Sequence, residues 1–147
     1  MTEHEALIFE YTIVGPDPQV VDGREIATGI AADWTGTAHD LGRDILKRWL
    51  TDPPAEHAEE HVLAVEVTGT NGAYAAVDDP APAEPSVHAL EVAIEAKLIA
   101  DYAAEQAGKE LVEAMREANR GGLSKNRVAD KAARVMSRPT ALKALKG

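Results

Sequence analysis

The stretch Val62-Leu63-Ala64-Val65-Glu66-Val67-Thr68-Gly69-Thr70-Asn71-Gly72-Ala73-Tyr74-Ala75-Ala76-Val77 decides the fold class. Leu63, Val65 and Val67 alternate with other residues, the period of a half-buried strand. Asn71-Gly72 between two extended runs signals a hairpin. Ala73–Val77 is then the returning strand.

Reading outward toward the N-terminus, Ala6–Val14 is a strand with Leu7, Phe9, Tyr11 and Ile13 on one face and Glu10 and Thr12 on the other. Gly15-Pro16-Asp17-Pro18 ends it, because two prolines and a glycine cannot continue a ladder. A second strand is predicted over Arg24–Trp34, with Ile26, Thr28, Ile30, Ala32 and Trp34 on one face. Thr37 caps a following helix, with Asp40 at its third position as a short capping box. Ala38, Leu41, Ile45 and Trp49 recur at helical spacing, with Leu46 and Leu50 beside them. Asp40, Arg43, Asp44, Lys47 and Arg48 lie mostly opposite, and Pro53-Pro54 stops the helix. The expected fold class is α+β: a small antiparallel sheet with one packed helix, in the order β-β-α-β-β. Such a pair of layers buries both apolar stripes at once.

Reading outward toward the C-terminus, residues 79–85 are a proline-rich linker that favours extended backbone. Ser86 is expected to cap a long helix with the stripe Val87, Leu90, Ile94, Leu98 and Tyr102. From Val87 to Asn119, with a possible bend at Gly108, it would span roughly 50 Å at ~1.5 Å per residue. That is too long for a small core to cover, so the stripe is read as a homodimer interface, the alternative being packing on the sheet domain. Gly121-Gly122 ends the helix. Ser124 caps the next, with Val128, Ala129, Ala132 and Ala133 apolar. Ser137 caps a last helix with Pro139 in its first turn and Leu142 and Leu145 buried. The expected organisation is an acidic domain over 1–78, the linker, a dimerising helix over 86–108 and a basic helix-turn-helix domain over 109–147.

Charge divides the same way. The formal net charge of the 147 residues is −10. Residues 1–108 hold 5 basic and 21 acidic groups, whereas residues 109–147 hold 10 basic and 4 acidic groups. A basic terminus on an acidic protein hints at nucleic-acid binding, the alternative being a solvated charge run. There is no cysteine, which excludes disulfides, thiolate metal sites and a cysteine nucleophile. No basic leader or long apolar run is evident, so a cytoplasmic protein without membrane contact is expected.

Gly122-Leu123-Ser124, then Val128-Ala129, Val135 and Ser137-Arg138-Pro139-Thr140, resemble the helix-turn-helix of many small bacterial DNA-binding regulators. The resemblance covers about residues 111–146. It implies that Ala129 lets two helices approach and that Ser137-Arg138-Pro139-Thr140 opens the recognition helix. The chain departs from the pattern at Ala133-Arg134-Val135-Met136, one residue longer than common and without a glycine. The expected DNA contacts are Lys125, Asn126, Arg127 and Lys131 on the first motif helix, and Ser137, Arg138, Thr140, Lys143 and Lys146 on the second. Ser137 and Thr140 would anchor a phosphate, and Arg138 would reach a guanine edge or a phosphate.

Phe9-Glu10-Tyr11-Thr12-Ile13, Gly15-Pro16-Asp17 and Thr35-Gly36-Thr37, joined to a DNA-binding C-terminus, are similar in outline to HicB-type antitoxins. That likeness implies an acidic domain covering a basic ribonuclease toxin and a C-terminus that represses the operon. The expected function is therefore a sequence-specific, dimeric DNA-binding regulator with an acidic domain for a partner or effector. The rival readings are a HicB-like antitoxin and an oligomerisation protein that binds no DNA.

His57-Ala58-Glu59-Glu60-His61 superficially resembles the H-x-x-E-H of inverted zincins, but it follows Pro53-Pro54 and leads into a strand, so a polar turn is expected. Gly69-Thr70-Asn71-Gly72 lacks the Lys-Ser/Thr of a phosphate loop. No catalytic residue, metal or cofactor is assigned.

Overall fold

A computed structural model of the chain describes residues 7–17, 19 and 23–146. The protein is α+β, with one four-stranded antiparallel sheet and four α-helices among the described residues. It forms two compact units, Met1–Tyr102 and Ala103–Gly147, each with its own apolar core. The boundary falls inside a helix, and the proline-rich segment belongs to the first unit.

The sheet comprises β1 (Phe9–Gly15), β2 (Arg24–Ala31), β3 (Ala64–Gly69) and β4 (Tyr74–Val77) in the order β2-β1-β3-β4. Phe9, Tyr11 and Ile13 stand opposite Gly69, Val67 and Val65 on β3 and opposite Ala31, Gly29 and Ala27 on β2. Paired residues share a face, so these rows line the core. Phe9, Ile13, Val65 and Val67 are its largest fully buried strand residues. Leu7 and Leu63, both expected inward, precede their strands and are exposed.

β2 corrects the expected face. Ile13 pairs with Ala27 but Val14 pairs with Glu25, so Ile26 is an extra residue in the ladder. Such a bulge exchanges the two faces of everything beyond it. Ala27 and Ala31 therefore pack against the core, while Thr28 and Ile30 are exposed. Tyr11 lies across the strand at Gly29, where a Cβ would stand 2.2 Å from the Tyr11 Cζ and would displace the ring. The strand also stops at Ala31, before Ala32 and Trp34. The Trp34 indole N–H instead donates to the Thr37 carbonyl at 3.0 Å and closes the loop into the first helix.

That helix, α1 (Ala38–Thr51), is capped as expected: the Thr37 hydroxyl accepts the Asp40 N–H at 3.0 Å. The Asp40 carboxylate receives Arg43 instead of reaching back, so the capping box is one-sided. Ala38, Leu41, Gly42, Ile45 and Leu46 are buried, whereas Leu50 is exposed. Gly42 lets the helix backbone meet the sheet, since a Cβ there would lie 2.6 Å from the Val77 Cγ2. The β3–β4 hairpin closes through Gly69 N–H to Ala73 O at 2.8 Å, with Gly72 at φ +94.

The long helix α2 (Pro85–Arg120) starts one residue before its expected cap. The His88 N–H donates to the Glu84 carbonyl at 2.8 Å, which places Pro85 at the first helical position and Ser86 in the first turn. A proline fits that position because its missing N–H would have no partner there. The helix runs unbroken through Gly108. It ends with Gly122 at φ +113, Gly122 N–H on Asn119 O at 3.2 Å and Leu123 N–H on Ala118 O at 3.0 Å. That pattern is a Schellman motif, whose left-handed residue favours glycine.

Within the first unit, α2 docks mainly through carboxylates. Glu95 is 5% exposed, and both its oxygens accept the Ala38 N–H, at 3.0 and 2.8 Å. Glu91 pairs with Arg43, with both side chains nearly buried. Ile99 packs on the core. Leu98 and Tyr102 lie at the hairpin tip, where a Cβ on Gly72 would be 2.3 Å from the Tyr102 Cβ. The expected stripe is thus only partly covered: Val87, Leu90, Ile94 and Tyr102 remain 45%, 59%, 44% and 40% exposed.

Candidate nucleic-acid interface

The second unit packs the C-terminal part of α2 with α3 (Lys125–Lys131) and α4 (Arg138–Ala144). Met115, Val128, Ala129, Ala132, Ala141 and Leu145 form its buried core, flanked by Leu111, Ala118, Leu123, Met136 and Leu142. Ala129 and Ala141 are both 0% exposed. Side chains that small let helix backbones approach closely. Ala133 was expected inward but is exposed, because α3 ends at Lys131 and the chain has left the helical period by then.

Both short helices start as their sequences predict. The Ser124 hydroxyl accepts the Arg127 N–H at 3.3 Å, and the Ser137 hydroxyl accepts the Thr140 N–H at 3.2 Å. The turn between them closes through Val135 N–H and Met136 N–H on the Ala132 carbonyl, at 3.0 and 3.1 Å. No described residue other than glycine has positive φ. The longer connection therefore needs no left-handed residue, which accounts for the missing glycine.

All nine expected DNA-contact residues are exposed, namely Lys125, Asn126, Arg127, Lys131, Ser137, Arg138, Thr140, Lys143 and Lys146. Residues 121–147 carry seven Lys and Arg against one carboxylate, Asp130. The structure joins three of these residues in a way that sequence spacing does not reveal. The Arg138 guanidinium donates to Asp130 and, at 3.0 Å, to Asn126 Oδ1, so it bridges α3 and α4. The Ser137 hydroxyl also donates to Thr140 Oγ1 at 2.7 Å, so both hydroxyls serve the cap. Arg116 was not singled out from the sequence, yet its Nε donates to the Ala144 carbonyl at 3.1 Å and ties α4 to α2.

The set-aside histidine segment has a structural role. Ala55–His57 is a single 3-10 turn, and the His57 ring lies against Trp49 with centroids 5.6 Å apart. Nδ1 of His57 is 3.5 Å from Glu60, and His61 lies outside any helix. Among the described residues no group of three or more His, Cys, Asp or Glu side chains could hold a metal ion. No helix among them is long and apolar enough to cross a membrane. Comparison with family models, curated proteins and solved structures gave no match to the chain.

Proposed function

We propose that the chain is a sequence-specific DNA-binding transcriptional regulator that acts as a dimer. The observation that carries this reading is the second unit: a close-packed three-helix assembly in which residues 121–147 carry seven Lys and Arg against the single carboxylate of Asp130. Cations on adjacent helices suit the sugar–phosphate backbone, and a helix of this size fits the major groove. The exposed Val87, Leu90 and Ile94 support a second copy along α2. The acidic first unit then serves as the partner- or effector-binding half and repels non-target DNA.

Arg138 has two roles open to it, one for each state. Without DNA it bridges Asp130 and Asn126; with DNA its fork exchanges those partners for a guanine edge or a phosphate. Arg138→Ala should cost ~1–3 kcal/mol of specific binding and relax preference at one base pair. DNA selection at fixed salt tests the whole reading. The full chain should enrich paired half-sites, and a chain ending at residue 108 should enrich nothing. Failure of the full chain to enrich any sequence would remove the assignment.

A further inference from the structure

We infer that the outer edge of β2, with the cleft beside it, binds an extended, basic segment of another protein. The inference rests on the first unit's proposed role as the partner-binding half and is independent of DNA binding by the second unit.

β2 is eight residues long and lies at the end of the order β2-β1-β3-β4. No described strand pairs with its outer side, so alternate backbone N–H and C=O groups there lack ladder partners. Edge strands are ordinarily protected by lysine, proline, a bulge or a covering element; the bulge at Ile26 interrupts β2 near its start and leaves Ala27–Ala31 in regular register. Arg24–Ala31 contains no lysine or proline, and its one arginine is held by Glu60 at 3.3 Å. In place of a guard it carries Ile30, 67% exposed. A cleft of about 360 Å³ opens beside the edge between Tyr11, Ile30, Ala31 and Trp49, with Arg48 and Asp52 also lining it. Leu41, Ile45 and Pro54 complete its lining, so apolar side chains share the walls with Arg48 and Asp52, and it has room for a large apolar side chain.

The surrounding charge selects the occupant. Arg48 is paired with Asp44, as Arg24 is with Glu60. Glu25, Asp33 and Asp52 take part in no ion pair among the described residues. Residues 1–102 hold 20 acidic groups against 5 basic ones. A second copy of this edge would meet like charge, whereas a cationic segment gains attraction from the whole unit. An added strand presents its side chains alternately to opposite faces. One set therefore reaches the cleft as apolar anchors while the other carries Lys or Arg, and main-chain hydrogen bonds to β2 supply the common affinity.

The test is a display library of random ten-residue peptides panned against the full chain. Peptides alternating apolar residues with Lys or Arg should be enriched. Ile30→Lys, a change at an exposed position whose folding is checked by circular dichroism, should weaken the enriched peptide about tenfold. Glu25→Lys combined with Asp33→Lys should weaken it further. N-methylation of alternate peptide residues should abolish binding in the register that faces β2 and leave it intact in the other. The inference is overturned if no peptide is enriched, or if the enriched peptides are acidic. It is equally overturned if neither Ile30→Lys nor N-methylation in either register changes their binding.

Discussion

The two units solve the packing problem with different materials. The first buries large side chains, Phe9, Ile13, Leu41, Val65 and Val67, between a sheet and a helix. The second brings three helices together over alanines 129, 132 and 141, with Val128, Met115 and Leu145 closing the core. Large side chains make stability depend on burying area; small ones make it depend on keeping backbones close. The units differ as much outside. Residues 1–102 carry an excess of 15 negative charges, and residues 103–147 an excess of 5 positive ones. One chain thus joins an acidic unit with an unguarded sheet edge to a basic unit with an exposed cationic side.

That contrast can be broken by opposite substitutions. Leu41→Ala should have the largest effect, because Leu41 is 1% exposed between α1 and the sheet. It should destabilise the first unit by about 3 kcal/mol in a urea titration followed by Trp34 and Trp49 fluorescence. The converse change enlarges a small core residue: Ala129→Leu should destabilise the second unit by about 2 kcal/mol through overpacking. If Ala129→Leu were neutral, the close approach of the helices would not rest on that position.

The smallest effect concerns how α2 is held. Burial is the main cause that raises the Glu95 carboxyl above the usual carboxylate range, and Asp40 adds to it; the Ala38 N–H and His39 pull the other way. A carboxyl with a raised folded-state pKa binds its proton more tightly when folded. Its contribution therefore favours the fold at low pH and declines as pH rises from the ordinary carboxylate value through the raised one. Glu95→Gln keeps an acceptor for the Ala38 N–H but removes this decline. Urea titrations from about pH 4 to about pH 7 should show the variant gaining on the parent protein as pH rises. A constant difference across that range would show that Glu95 is not the group responsible.

Much of this architecture was legible in the sequence for local reasons. Thr37, Ser124 and Ser137 cap helices through hydrogen bonds spanning three residues. The Asn71-Gly72 turn and the alternation of Val65 and Val67 are likewise short-range signals. What was not legible depends on distant partners. The bulge at Ile26 is set by pairing with β1, and it moved Ile30 from the expected core face to solvent. Apolar periodicity points to Val87, Leu90 and Ile94 on α2, yet Glu91 and Glu95 make the contacts with α1. Periodicity counts hydrophobic residues, so a face docked by carboxylates does not register. In the second unit, the exposure of the basic residues was legible, but the Arg138 bridge to Asp130 and Asn126 spans a turn and was not.

Regulation through DNA requires the cations of the second unit to bind the phosphate backbone. Fluorescence anisotropy on a duplex selected by the full chain, repeated across a salt series, tests it most directly. Log affinity should fall linearly with log salt, and the combined variant Lys125→Ala, Arg127→Ala, Lys131→Ala and Lys143→Ala should bind weakly, with the slope reduced by about 3 to 4. An unchanged slope and affinity in that variant, or no duplex bound by the parent protein at low salt, would contradict the account.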